Sequence, residues 1–143
     1  MNRLKLLSGG IATSMMVLAA SAVAQSPGEW TMTGRTYDLQ RYSPLTQINK
    51  ANVKSLKAAW TFSTGVLNGH EGNPLVINNV LYVHSAFPNI VFALDLTKPG
   101  APMIWKHVPN QPPEAKPIAC CDLVNRGLAY HPSGKLFIEL LGW

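Results

Sequence analysis

Two cysteines stand side by side at Cys120 and Cys121, and Arg126 follows six positions after the first. Three fates are open to the pair: a bond to each other, two buried free thiols, or pairing with another chain. Bonded to each other, adjacent cysteines close a small ring. Neighbouring α-carbons across a trans peptide lie about 3.8 Å apart, below the usual disulfide span of about 4.4–6.8 Å, so that ring is strained. Strain of this kind is kept where it has a use. Arg126 brings a permanent charge and a planar fork of donors, which suits flat oxygen acceptors that gain negative charge. For an isolated arginine the alternative is an ordinary surface ion pair. Glu71 lies in the loop Gly69-His70-Glu71-Gly72, where glycines let backbone come close to a ligand. Taken alone it is a solvated loop acid. The four histidines, at 70, 84, 107 and 131, have none of the short spacings of a zinc site. His84 and His107 end strands and read as structural, while His70 can orient the loop that carries Glu71.

Short strands have to hold these side chains. Residues 56–62 are extended and aromatic-rich. Pro74-Leu75-Val76-Ile77 and Val80-Leu81-Tyr82-Val83-His84 flank Asn78-Asn79, two residues that tolerate the positive φ of a tight hairpin turn. Residues 89–95 and, after a Lys98-Pro99-Gly100 turn, 102–107 complete a four-stranded antiparallel meander. The unit then recurs. Trp60 and Trp105 lie 45 positions apart, and the hairpin at 75–83 is echoed by 128–138 around His131-Pro132-Ser133-Gly134. A period of about 40–50 residues with four strands indicates a β-propeller blade. The expected fold is therefore all-β, a β-propeller piece of about two blades: the end of one, one whole, and the start of a third. Trp60 and Trp105 read as blade-packing aromatics, Asp95 as a turn acid that ties its blade to the next, and Asp122 as a support for the loop after the cysteines. Ahead of the strands, residues 25–55 form a polar arm in which Asn49 caps a short helical turn over 50–54.

Charge and composition exclude other classes. Of the 143 residues, 47% are apolar and only 13% charged, which excludes a coiled coil and a low-hydrophobicity disordered chain. The net charge of +5 falls to +3 without Arg3 and Lys5, and the remaining cations are scattered, so no nucleic-acid partner is expected. Arg3 and Lys5, the apolar run at 11–20 and Ala22-Val23-Ala24 make a secretory signal over 1–24, with cleavage between Ala24 and Gln25. The apolar run is too short for a comfortable membrane span, so no transmembrane segment is expected after signal removal. The chain is expected in an exported, oxidising compartment, the periplasm for a Gram-negative source.

Gly69-His70-Glu71-Gly72-Asn73-Pro74, Cys120-Cys121-Asp122, Val124-Asn125-Arg126-Gly127 and the segment from Ala93-Leu94-Asp95 to Trp105 resemble the pyrroloquinoline-quinone (PQQ) dependent alcohol dehydrogenases. Within these the chain is similar to the methanol dehydrogenases, and most to the lanthanide-dependent type, through Arg41-Tyr42-Ser43, the 59–67 stretch and Phe87-Pro88-Asn89-Ile90-Val91. The resemblance implies an eight-bladed propeller whose funnel holds PQQ with calcium or a lanthanide. It implies oxidation of a primary alcohol and electron transfer to cytochrome c, by a homodimer or an assembly with a small subunit. It further implies a Cys120–Cys121 disulfide lying flat on the quinone, Arg126 beside the quinone oxygens, and Glu71 on a polar edge of PQQ.

The same resemblance puts the catalytic aspartate and the metal ligands in later blades, so no catalytic or metal-ligating residue is assigned here. Likeness runs over 25–138, as the arm (25–55) and the propeller piece (56–138), and stops before the tail at 139–143. A gene fragment or frameshifted product, without turnover of its own and with weak PQQ binding, is the expectation. The competing reading is a non-catalytic β-propeller scaffold for protein assembly, which has no use for Cys120-Cys121 or Arg126. A translated remnant without a stable fold is a third, given unpaired strand edges.

Overall fold

The computed structural model describes residues 25–112, 114 and 123–140. The expected leader with its cleavage point after Ala24, the expected Cys120–Cys121 bridge, and Asp122 lie outside the described residues. Apart from 3-10 structure at Val53–Ser55 and Glu114, the regular structure among the described residues is all β.

Strands β1 (Leu75–Ile77), β2 (Val80–His84), β3 (Val91–Asp95) and β4 (Met103–His107) form one antiparallel sheet in chain order, the expected meander. The β1–β2 turn is where the sequence placed it. Asn78 and Asn79 take φ values of 50° and 60°, the left-handed pair that matches the twist of a two-residue hairpin. The Glu29 carboxylate accepts the Asn78 N–H at 2.9 Å and the Asn79 carbonyl accepts the Leu96 N–H at 2.9 Å, so the turn is held from both sides. Trp30, from the amino-terminal arm, exchanges both backbone hydrogen bonds with Val76 at 2.8 and 2.9 Å. β3 and β4 slip register at Ala93/Leu94, a bulge set beside a turn with positive φ at Gly100 and Ala101. Within that turn Asp95 accepts the Thr97 N–H at 2.9 Å and pairs with Lys98 at 3.0 Å. Asp95 thus holds its own turn, the turn acid expected there. β5 (Leu128–His131) and β6 (Lys135–Ile138) make a separate hairpin, the opening of the next repeat.

Side chains on β3 alternate between two cores, as the period of two requires. Val91 packs with Leu75, Ile77 and Leu128 against Tyr130, Leu136 and Ile138 of the following hairpin. Phe92 and Leu94 pack on the opposite face with Ala101, Phe62, Leu81 and Val83, and the Phe62 and Phe92 rings meet edge to face at 5.1 Å. Covered on both faces, β3 is the buried centre of the unit. Leu75 and Leu94 are fully buried, each worth about 1.5–3 kcal/mol. Trp105 contributes by resting its ring on Tyr82, with centroids 5.9 Å apart.

One local expectation is corrected. Residues 56–62 have no ladder partner among the described residues and form no strand, although Phe62 packs as a blade aromatic should. An extended apolar pattern becomes a strand only where another backbone satisfies its N–H and C=O groups. The expected cap at Asn49 is present: its side chain accepts the Ala51 N–H at 2.9 Å and its carbonyl accepts the Val53 N–H at 2.9 Å, ahead of the 3-10 turn at Val53–Ser55. Asn52 answers by accepting the Asn49 N–H at 2.8 Å, the reciprocal arrangement of a capping box.

Candidate functional site

Glu71 and Arg126 lie 55 positions apart in the chain and meet in the fold. Arg126 Nε lies 3.4 Å from Glu71 Oε2, with the two side chains 83% and 50% exposed. An ion pair so exposed contributes about 0–1 kcal/mol to stability, so its significance is positional. A parallel bridge between Asn73 and Gly127 brings the two loops side by side.

Each loop is fastened independently. In the first, His70 donates from Nδ1 to the Asn68 carbonyl at 2.8 Å, which leaves Nε2 to accept the Thr64 hydroxyl at 2.9 Å. His70 therefore ties the Glu71 loop to the 64–68 segment. In the second, Asn125 accepts the Gly127 N–H at 3.0 Å and donates to the Glu139 carbonyl at 2.9 Å. The Asn125 carbonyl receives Nε2 of His84 at 3.0 Å, and the Leu123 carbonyl receives the Phe87 N–H at 2.8 Å. His84 ends β2 and is structural, as expected. Its ring lies directly under Gly72, where a Cβ would stand 1.8 Å from Cε1. A cleft of about 270 Å³ opens beside this network, lined by Phe87, Asn89, residues 123–127, Glu139 and Leu140.

The residues fit a flat, anionic, oxygen-rich group. Glu71 engages Nε of Arg126, and among the described residues no ion pair takes its terminal Nη groups. A carboxylate next to an anionic ligand needs a compensating donor, and Arg126 supplies one. Sequence reasoning missed His84, Asn125 and Gly72 as builders of this arrangement. Asn125 stands between a branched residue and the Arg-Gly pair, a position where an asparagine side chain fastens a loop, and Gly72 follows the acid directly; those were the available signals. The pair Cys120-Cys121 lies outside the described residues.

A family profile described as "PQQ: Glucose/ethanol/alcohol dehydrogenase, beta-propeller domain" matches residues 30–137. The chain belongs to this family. Over 110 residues this PQQ-family chain is 56% identical to subunit 1 of the cytochrome c methanol dehydrogenase of Paracoccus denitrificans, covering 77% of the chain and 17% of that protein. Over 127 residues it is 53% identical to the lanthanide-dependent methanol dehydrogenase of Methylorubrum extorquens, covering 87% and 21%. Among solved structures a europium-containing methanol dehydrogenase superposes with a TM-score of 0.75 at 53% identity, over 80% of the chain and 20% of that structure. The chain thus spans about a fifth of the length of the relatives it matches. The expected all-β propeller class and the resemblance to PQQ alcohol dehydrogenases both hold, and the relatives are named as oxidoreductases of alcohols. Among the described residues of this PQQ-family chain no helix is long and apolar enough to cross a membrane, and no three His, Cys, Asp or Glu side chains gather for a metal ion.

Proposed function

We propose that residues 25–138 form part of the wall of a PQQ site in a periplasmic β-propeller that oxidises a primary alcohol, methanol first among them, and passes the electrons to cytochrome c. The observation that carries this reading is the convergence of Glu71 and Arg126 across 55 positions, in a chain of the PQQ family. Bound PQQ supplies the two-electron acceptor. Arg126 is read as the donor of hydrogen bonds to the cofactor's reactive oxygens, and its fixed charge favours negative charge developing there. Glu71 orients that guanidinium through Nε and presents its second oxygen to a polar edge of the cofactor. A Cys120–Cys121 disulfide covers one face and keeps water from it. A calcium or lanthanide ion, its ligands and the catalytic base belong to sequence outside these residues. The leader is removed between Ala24 and Gln25 during export.

The test is a chimera in which residues 25–138 replace the matching stretch of the Methylorubrum extorquens lanthanide-dependent enzyme. Retained PQQ absorbance and methanol-dependent dye reduction are expected, and Arg126→Ala in the chimera should lower turnover by about a hundredfold, the scale of losing one charge-stabilising donor. A folded chimera that takes up no PQQ defeats the reading.

A further inference from the structure

We propose that His84 is a positioning residue, a strut whose imidazole sets the loop carrying Arg126 against the loop carrying Glu71. That these loops hold PQQ rests on the function proposed above; the strut itself rests on geometry. His84 is only 7% exposed and occupies the last rung of β2, paired with Val91 of the buried strand β3, so its ring projects from the sheet's ladder rather than from a loop. The ring touches a direct chain neighbour of each functional residue. Its Nε2 donates to the carbonyl of Asn125, which precedes Arg126. Its Cε1–Nε2 edge lies under Gly72, which follows Glu71, at a separation no Cβ could share. Asn125 passes the constraint on through Gly127 and Glu139.

Shape and donor are separable here. A ring without a donor would still fill the space under Gly72, yet would release the Asn125 carbonyl. A glutamine would lose the ring and keep a donor at a similar reach. The distance between the Glu71 and Arg126 loops should follow the donor.

The experiment compares His84→Phe and His84→Gln with the parent in the full chain. Three quantities are measured: thermal unfolding, amide hydrogen exchange of the 123–129 peptide, and PQQ affinity by fluorescence titration. Loss of one hydrogen bond predicts exchange about three- to tenfold faster in His84→Phe and a matching drop in PQQ affinity, with His84→Gln restoring both to within about twofold. Unchanged exchange in His84→Phe overturns the proposal. So does equal impairment of both variants in step with a lowered unfolding temperature, because that is simple core packing. If the parent chain binds no PQQ while exchange still separates Phe from Gln, the strut stands and the cofactor reading fails.

Discussion

Replacing Gly72 by alanine tests the packing beneath the site with one methyl group. The added Cβ would stand 1.8 Å from Cε1, 2.1 Å from Nε2 and 2.9 Å from Nδ1 of His84. Gly72 does not occupy the left-handed region, so alanine is compatible with its backbone and the whole penalty falls on the ring. To restore ordinary contact the imidazole must retreat by about 1.6 Å, which the 3.0 Å bond to Asn125 does not survive. One lost hydrogen bond at about 0.5–1.5 kcal/mol and overpacking at about 1–3 kcal/mol give a destabilisation of about 1.5–4.5 kcal/mol. In a His84→Ala background the same methyl enters vacated space and should be nearly neutral, so the coupling is about as large as that whole cost. Urea unfolding of the parent, the two single variants and the double variant, at constant m-value, measures it. Gly72→Ala within about 0.5 kcal/mol of the parent, or effects that add to within about 0.5 kcal/mol, would refute the reasoning.

Three further outcomes are expected. Asn79→Val forces a β-branched side chain to φ 60° in the β1–β2 turn and should cost about 1–2 kcal/mol, whereas Asn79→Gly should hold or raise the unfolding temperature. The Thr97 side chain, and after it Lys98, hold the Asp95 carboxyl below its ordinary value of 3.8. A depressed folded-state pKa gives stability that is present above the unfolded value and lost as pH falls through the folded one, so Asp95→Asn should flatten the acid limb of the stability profile. Mapping of the exported protein under non-reducing conditions should yield a peptide with Cys120 and Cys121 linked and resistant to alkylation; two alkylated thiols would remove the proposed lid.

Much of the fold was legible because it is written in neighbours. Asn78-Asn79 between two alternating apolar runs specifies a hairpin through residues a few positions apart, and β1 to β4 fell within a residue or two of their expected places. Residues 56–62 misled for the opposite reason: being a strand depends on a partner backbone, which no local pattern supplies. Asn49 was legible as a cap because its side-chain oxygen reaches the N–H two residues on, a purely local bond. Glu71 and Arg126 were singled out by a motif, yet their meeting depends on Asn73 pairing with Gly127. The His84 bond to Asn125 spans 41 positions and is invisible to any periodicity.

The single rung that Trp30 adds has a consequence for the sheet's growth. In an antiparallel strand the N–H and C=O of alternate residues point to opposite sides. Three-residue β1 turns Leu75 and Ile77 toward β2, and only Val76 faces outward. Trp30 takes both of its groups, so one tryptophan backbone is enough to close that flank to foreign strands. Among the described residues the sheet is thereby made directional, with β4 as its open edge.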